Sequence, residues 1–163
     1  MAERGHNLLE AIHYLPGHDE YGQLQTTNLE QWINSVRQSC TELGRIETAD
    51  RCIGHILASA QIGNDGIWPC EVVREVLENI QSAKMIHGMS MAKYNSRGII
   101  GRSMDEGGLQ EKTLAEQYRK WGQALLVTHP FVATNLLFDM ANGYDEDASR
   151  EDADVSLSRR LMH

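Results

Sequence analysis

The chain has 163 residues and a formal net charge of -8, with 41% hydrophobic and 23% charged side chains. That length suits one domain able to bury its own core, and the composition is ordinary for a globular protein. The sequence pI of about 5.3 argues against a nucleic-acid-binding module that is basic throughout.

Helical periodicity begins at the N-terminus, where a short helix is predicted over residues 2–15. A longer amphipathic helix is predicted over about residues 27–43, ending at Gly44 as a C-terminal stop. Its apolar positions form one stripe: Leu29, Trp32, Ile33, Val36, Cys40 and Leu43. This spacing places all six side chains on one helical face.

Two further helices are predicted at about residues 45–61 and 69–82. Gly54 lies inside the first and costs about 1 kcal/mol relative to alanine, which indicates a close helix crossing at that position. Pro69 is expected to be the first residue of the second, where its missing N–H would have no partner anyway.

The last two predicted helices, at about residues 109–127 and 130–148, form an antiparallel pair. No segment shows the alternating pattern of a strand. The expected fold is therefore all-α: one domain over residues 1–163, built as a bundle or a short solenoid-like stack of five main helices. A long glycine-rich, basic loop is expected at about residues 85–108.

Residues 84–104 carry four basic side chains and no acidic one, although the rest of the chain is acidic. Glycines let backbone amides turn inward and arginines donate in a forked geometry, so the segment suits phosphate or carboxylate. The expected contact residues for a partner or a phosphate are Lys84, Lys93, Tyr94, Arg97 and Arg102. The alternative is internal: the loop folds back on the acidic cluster of residues 145–154.

Catalytic, metal and cofactor sites are not predicted. One E-x-x-H and one C-x-x-H pair occur, whereas a di-iron bundle needs the first of these twice together with two more carboxylates. The S-x-x-K match at Ser90 lacks the other elements of that hydrolase class. The three cysteines, Cys40, Cys52 and Cys70, are expected to be small buried side chains in a reducing cytoplasm. No stretch is long enough to span a membrane, and no membrane contact is expected.

Several segments carry a resemblance: WPCEVVREVLE, YNSRG, EGGLQEKTLAEQYRKW and HPFVATNL. From about Leu15 onward, the chain resembles helical C-terminal regions of large, uncharacterised bacterial proteins. The resemblance implies a bacterial source and a chain that is part of a larger protein or assembly. It implies no activity.

Three functions remain open at this point. The first is a non-catalytic helical module that binds a protein partner or another copy of itself, with the loop 85–108 as its contact. The second is a nucleic-acid-contacting small subunit of a nucleoprotein complex that uses the basic segment 84–104. In size and helicity the chain is similar to small subunits of bacterial RNA-guided defence complexes. The third is a helical enzyme whose site is not recognisable from the sequence.

Overall fold

The computed structural model describes residues 14–96 and 108–161. Within these ranges the elements of regular secondary structure are all helices. An isolated β-bridge joins His18 and Leu24. The predicted all-α fold class is confirmed. The predicted helix at residues 2–15 falls outside the described residues except for its last two positions, which are not helical.

Six helices form the described part of the chain. They are α1 (Thr26–Glu42), α2 (Ile46–Leu57), α3 (Glu71–Ile80), α4 (Ala83–Asn95), α5 (Leu109–Leu125) and α6, which comprises Pro130–Val132, the π-helical Ala133–Phe138, and Asp139–Leu161. They belong to two compact units, α1–α4 within residues 1–96 and α5–α6 within residues 97–163. The prediction of one domain over residues 1–163 stays a prediction.

Helices α1 and α2 form an antiparallel hairpin that turns at Gly44. The φ of Gly44 is +66°, a left-handed conformation that glycine adopts without steric cost. The backbone N–H of Arg45 donates to the carbonyl of Cys40 at 2.8 Å and closes the end of α1. The predicted glycine stop is therefore confirmed.

Helices α2 and α4 cross so closely that two glycines are needed at the contact. A Cβ on Gly54 would overlap the carbonyl of Met85, and a Cβ on Gly88 would overlap the carbonyl of Arg51. The close crossing predicted at Gly54 is confirmed. The two helices run in the same direction. Glu47 of α2 pairs with Lys84 of α4, and one turn later in both helices Arg51 contacts Gly88.

The predicted loop at about residues 85–108 is wrong for its first part, because α4 occupies residues 83–95. The hydroxyl of Ser82 caps this helix by accepting the backbone N–H of Met85 at 3.3 Å. Its buried residues are Met85, Ile86, Gly88, Met89 and Ala92. Methionine and glycine make a weak apolar stripe in a sequence, yet burial against α2 stabilises them as a helix. Residues 97–107 of the predicted loop lie outside the described residues.

Helix α3 begins at Glu71, so the prediction that Pro69 is its first residue is wrong. Pro69 follows Trp68 through a cis peptide bond. The Trp68 side chain is only 1% exposed, and its Nε1 donates to the carbonyl of Ala60 at 2.9 Å. Anchoring this large side chain in the core holds the segment before the helix in a turn.

Helices α5 and α6 pack as the predicted antiparallel pair. A Cβ on Gly108 would overlap the backbone of Ala148, and a Cβ on Gly122 would overlap the ring of Phe138. Residues near the start of α5 thus meet residues late in α6. Helix α6 continues to Leu161, past the predicted end at residue 148, and beyond that point Asp152 pairs with Lys112 of α5.

Candidate functional site

The structure places three of the five expected contact residues, Lys84, Lys93 and Tyr94, on helix α4. Arg97 and Arg102 lie outside the described residues. Lys84 and Lys93 are separated by nine helical positions, which puts them on opposite sides of α4. The structure therefore does not bring these two ammonium groups together as one phosphate-binding cradle.

Each of the two expected contact lysines on α4 has a partner inside its own unit. Nζ of Lys84 lies 3.3 Å from a carboxylate oxygen of Glu47 on α2. Nζ of Lys93 lies over the Trp68 ring, 4.7 Å from its centroid, in a cation–π arrangement. Burial lowers the pKa of Lys93 below its ordinary value. Both charges are committed to internal contacts.

The last residue of the predicted loop, Gly108, and the first turn of α5 contact the acidic cluster. The backbone N–H of Gly108 donates to a carboxylate oxygen of Asp152 at 3.0 Å, and Lys112 pairs with the other oxygen at 2.6 Å. These contacts hold the pKa of Asp152 below its usual range, chiefly through Lys112. Gly108, the last residue of the predicted loop, therefore contacts the acidic cluster, whereas the internal alternative for the basic side chains Arg97 and Arg102 stays a prediction because both lie outside the described residues.

A different surface stands out in the first unit: an apolar cavity of about 280 Å³ between α1 and α2, open to solvent. We call it the α1/α2 groove. Helix α1 contributes Trp32, Val36 and Cys40, which lie on successive turns of one face. The α2 side contributes Arg45, Thr48, Ala49, Cys52, Ile53 and Ile56.

The groove exists because only part of the apolar stripe of α1 is covered by the core of the first unit. Leu29 and Ile33 are fully buried. Trp32, Val36 and Cys40 are only half-buried, and Leu43 at the end of the stripe is 72% exposed. The sequence predicts the apolar stripe of α1. How much of this stripe remains exposed to solvent depends on the width of the elements packed against α1.

Arg45 is the one charged side chain among the residues that line the groove. It is exposed, and it alone has no ion-paired carboxylate among the six arginines whose side chains the structure describes, which are Arg37, Arg45, Arg51, Arg74, Arg119 and Arg150. The nearby acid of α2, Glu47, pairs instead with Lys84 and Arg51. The rim of an otherwise apolar groove thus carries a single positive charge.

Two of the three free cysteines also line the groove. All three cysteines are half-buried, so the expectation of buried small side chains is only approached at Cys40, Cys52 and Cys70. Burial raises the pKa of the Cys52 thiol, with a smaller contribution from nearby Cys40. At neutral pH Cys52 therefore behaves as an apolar wall of the groove more than as a nucleophile.

Within residues 14–96 and 108–161, no three histidine, cysteine, aspartate or glutamate side chains gather as metal ligands. Glu10 and His13 of the E-x-x-H pair lie outside these ranges. The same ranges contain no helix with both the length and the apolar character needed to cross a membrane. The α1/α2 groove is therefore the candidate site in the described part of the chain.

No family model, curated protein or solved structure matches this chain. The geometry of its own side chains is therefore the basis for a function. Sequence reasoning missed the groove as a site, although two signs of it were present. These are a stripe of six apolar positions on α1 and a lone arginine immediately after the glycine stop.

Proposed function

We propose that this chain is a non-catalytic helical protein-interaction module, or a subunit of a larger bacterial assembly, that holds a partner protein in the α1/α2 groove. The observation that supports this function is the open apolar wall formed by Trp32, Val36 and Cys40 on a strongly acidic chain. Contiguous apolar surface left open by a fold is characteristic of interaction sites.

Burial of this wall would supply the binding energy. Removing apolar surface from water contributes roughly 25 cal/mol per Å², and tryptophan is among the side chains that most often dominate the binding energy of protein interfaces. Trp32 is such a side chain, half-buried at one end of the groove. Exposed Leu43 prolongs the apolar surface beyond the other end.

The size and polarity of the groove favour a protein partner over a small cofactor. Its volume of about 280 Å³ lies just below the roughly 300–1,000 Å³ of small-molecule sites. Small-molecule sites also place several polar groups to orient the ligand, whereas Arg45 is the single charge here. Helix-binding grooves, by contrast, are apolar and take side chains from a partner.

This proposal moves the contact surface away from the loop at residues 85–108. Among the residues expected there, Lys84 and Lys93 already have internal partners, so neither supports the nucleic-acid alternative. The proposed function remains protein interaction, as the sequence suggests. The proposed contact surface is the α1/α2 groove instead of the loop.

The test is copurification from the organism's own cells, using the tagged full chain. Thr48→Trp would block the groove from an exposed position, and Val36→Glu would place a charge on its wall. Gln38→Glu is the matched control, since Gln38 is exposed on the same helix outside the groove. Each variant is first compared with the native chain by circular dichroism and thermal unfolding.

We expect a partner chain that copurifies with the native protein and with Gln38→Glu, and is lost from both groove variants. The purified partner should then bind the native chain directly and fail to bind Thr48→Trp. A partner that binds all four proteins equally, or no partner at all, would contradict the proposed function.

A further inference from the structure

The α1/α2 groove has a length and a polarity that narrow the chemistry of its occupant. Trp32 and Cys40 line the same α1 face and lie eight residues apart, which spans about 12 Å of helix. That distance accommodates roughly two turns of a partner helix, with apolar side chains at positions i, i+3 or i+4, and i+7.

The two ends of the groove differ. Because α1 and α2 are antiparallel and turn at Gly44, Cys40 and Arg45 lie at the turn end, whereas Trp32 and Ile56 lie at the other. The positive charge of Arg45 thus lies at one end only. The N-terminus of α2, which no side chain caps, is at this same end and adds a positive partial charge.

Arg45 is available to a partner because it makes no ion pair within the part of the chain that the structure describes. Glu47 is two residues away, but its carboxylate lies 3.3 Å from Lys84 and 3.9 Å from Arg51. No acidic residue lines the groove, although the chain holds 23 acidic residues. An arginine without a counter-ion beside an apolar wall is complementary to a carboxylate attached to an apolar segment.

We infer that the occupant is an amphipathic helix of a partner protein that places a carboxylate against Arg45 and apolar side chains along the groove. This inference rests on the proposed function and adds the partner's chemistry to it. The carboxylate lies about one turn beyond the apolar residue nearest Cys40, so the partner helix binds in one direction. Arg45 sets specificity, and the apolar wall provides the affinity.

The experiment selects peptides of about 15 residues, the length at which isolated helices become stable, from a displayed random library. The native full chain is the target, and Thr48→Trp is the counter-target that removes binders to other surfaces. Recovered peptides are synthesised with a fluorophore, and their dissociation constants are measured by fluorescence anisotropy. The proteins compared are the native chain, Arg45→Glu and the control Lys120→Glu.

Lys120→Glu is the matched control because Lys120 is also exposed and undergoes the same charge change, but it belongs to the second unit and does not line the groove. We expect recovered peptides to carry aspartate or glutamate at a fixed spacing from an apolar pair. Arg45→Glu should weaken their binding by about tenfold or more, as for a close charge pair. Changing the peptide acid to lysine should restore binding to Arg45→Glu.

Two results overturn the inference, and they differ in what they mean for the proposed function. Peptides that need the open groove but show no acidic preference, and bind Arg45→Glu normally, would refute the carboxylate while leaving the interaction function intact. If no recovered peptide distinguishes the native chain from Thr48→Trp, both the inference and the groove as a protein-binding surface fail.

Discussion

The ammonium group of Lys93 lies over the indole ring of Trp68, with Nζ 4.7 Å from the ring centroid. In the sequence, Lys93 belongs to a basic segment and is expected to meet a phosphate or a partner. In the fold, the same charge rests on the face of a buried tryptophan. The Lys93 side chain is therefore part of the packing of the first unit.

This contact predicts how stability changes with pH. Burial lowers the folded-state pKa of Lys93 below the ordinary lysine value of 10.5, so the unfolded chain binds this proton more tightly. Stability from this site is therefore lowest below the folded pKa and rises as the pH approaches 10.5. In urea unfolding, the native chain should gain stability relative to Lys93→Met between neutral and alkaline pH. A difference independent of pH would contradict the burial of this charge.

The crossing of α2 and α4 predicts a large cost for small substitutions. Gly54→Ala and Gly88→Ala each place a methyl group into a backbone carbonyl of the facing helix, which should destabilise the unit by roughly 1–3 kcal/mol or more. Gly143→Ala is the matched control, since Gly143 is an exposed helical residue with open space at its Cβ. It should be neutral or stabilise by about 0.5–1 kcal/mol. Urea denaturation measures all three, and equal effects at the three sites would refute the close crossing.

Asp50 predicts an energetic coupling among three parts of the first unit. The carboxylate is 4% exposed, and it accepts from Nε of Arg37 at 2.9 Å and from the Ser82 hydroxyl at 2.6 Å. Asp50→Asn should cost about 1.5–3 kcal/mol, and Ser82→Ala about 1 kcal/mol because it also removes the cap of α4. The double variant should cost less than the sum, since the two residues share a hydrogen bond. Additive effects in urea unfolding would show that the contact contributes nothing.

The groove predicts the alkylation behaviour of its thiols. In a chain carrying Cys40→Ser and Cys70→Ser, iodoacetamide should label Cys52 slowly at neutral pH, because burial raises the pKa of this thiol above 9.0. The labelling rate should increase with pH and level off only above the raised pKa of Cys52. A peptide that occupies the groove should slow labelling further, whereas a rate that is already maximal at neutral pH would contradict the partly buried environment.

Internal pairing of Lys84 and Lys93 predicts weak binding to nucleic acids. Fluorescence anisotropy with labelled single- and double-stranded RNA and DNA should show no binding at physiological salt. A salt-sensitive complex that is lost in the double variant Arg97→Ala/Arg102→Ala would instead establish the nucleoprotein alternative. The double variant Lys84→Ala/Lys93→Ala is the control. It removes the internal contacts of both lysines and should bind nucleic acid no differently from the native chain.

The helical character of the chain was predictable because it depends on periodicity, which is local. Five of the six described helices coincide with segments predicted as helical, and Gly44 and Gly54 act there as the sequence predicts. Helix α4 escaped prediction because its buried face consists of methionine, alanine and glycine with a single isoleucine, Ile86. Such residues show their role only when a neighbouring backbone packs against them.

The sequence by itself determined which residues are apolar, that the described elements are helices and where the charges lie along the chain. Only the tertiary structure decided that Lys93 faces Trp68 and that Asp152 binds Gly108. It also decided that half of the α1 stripe remains open beside Arg45. The physical reason is that amphipathic periodicity specifies a face, whereas burial and pairing depend on the width, distance and charge of the element packed against it.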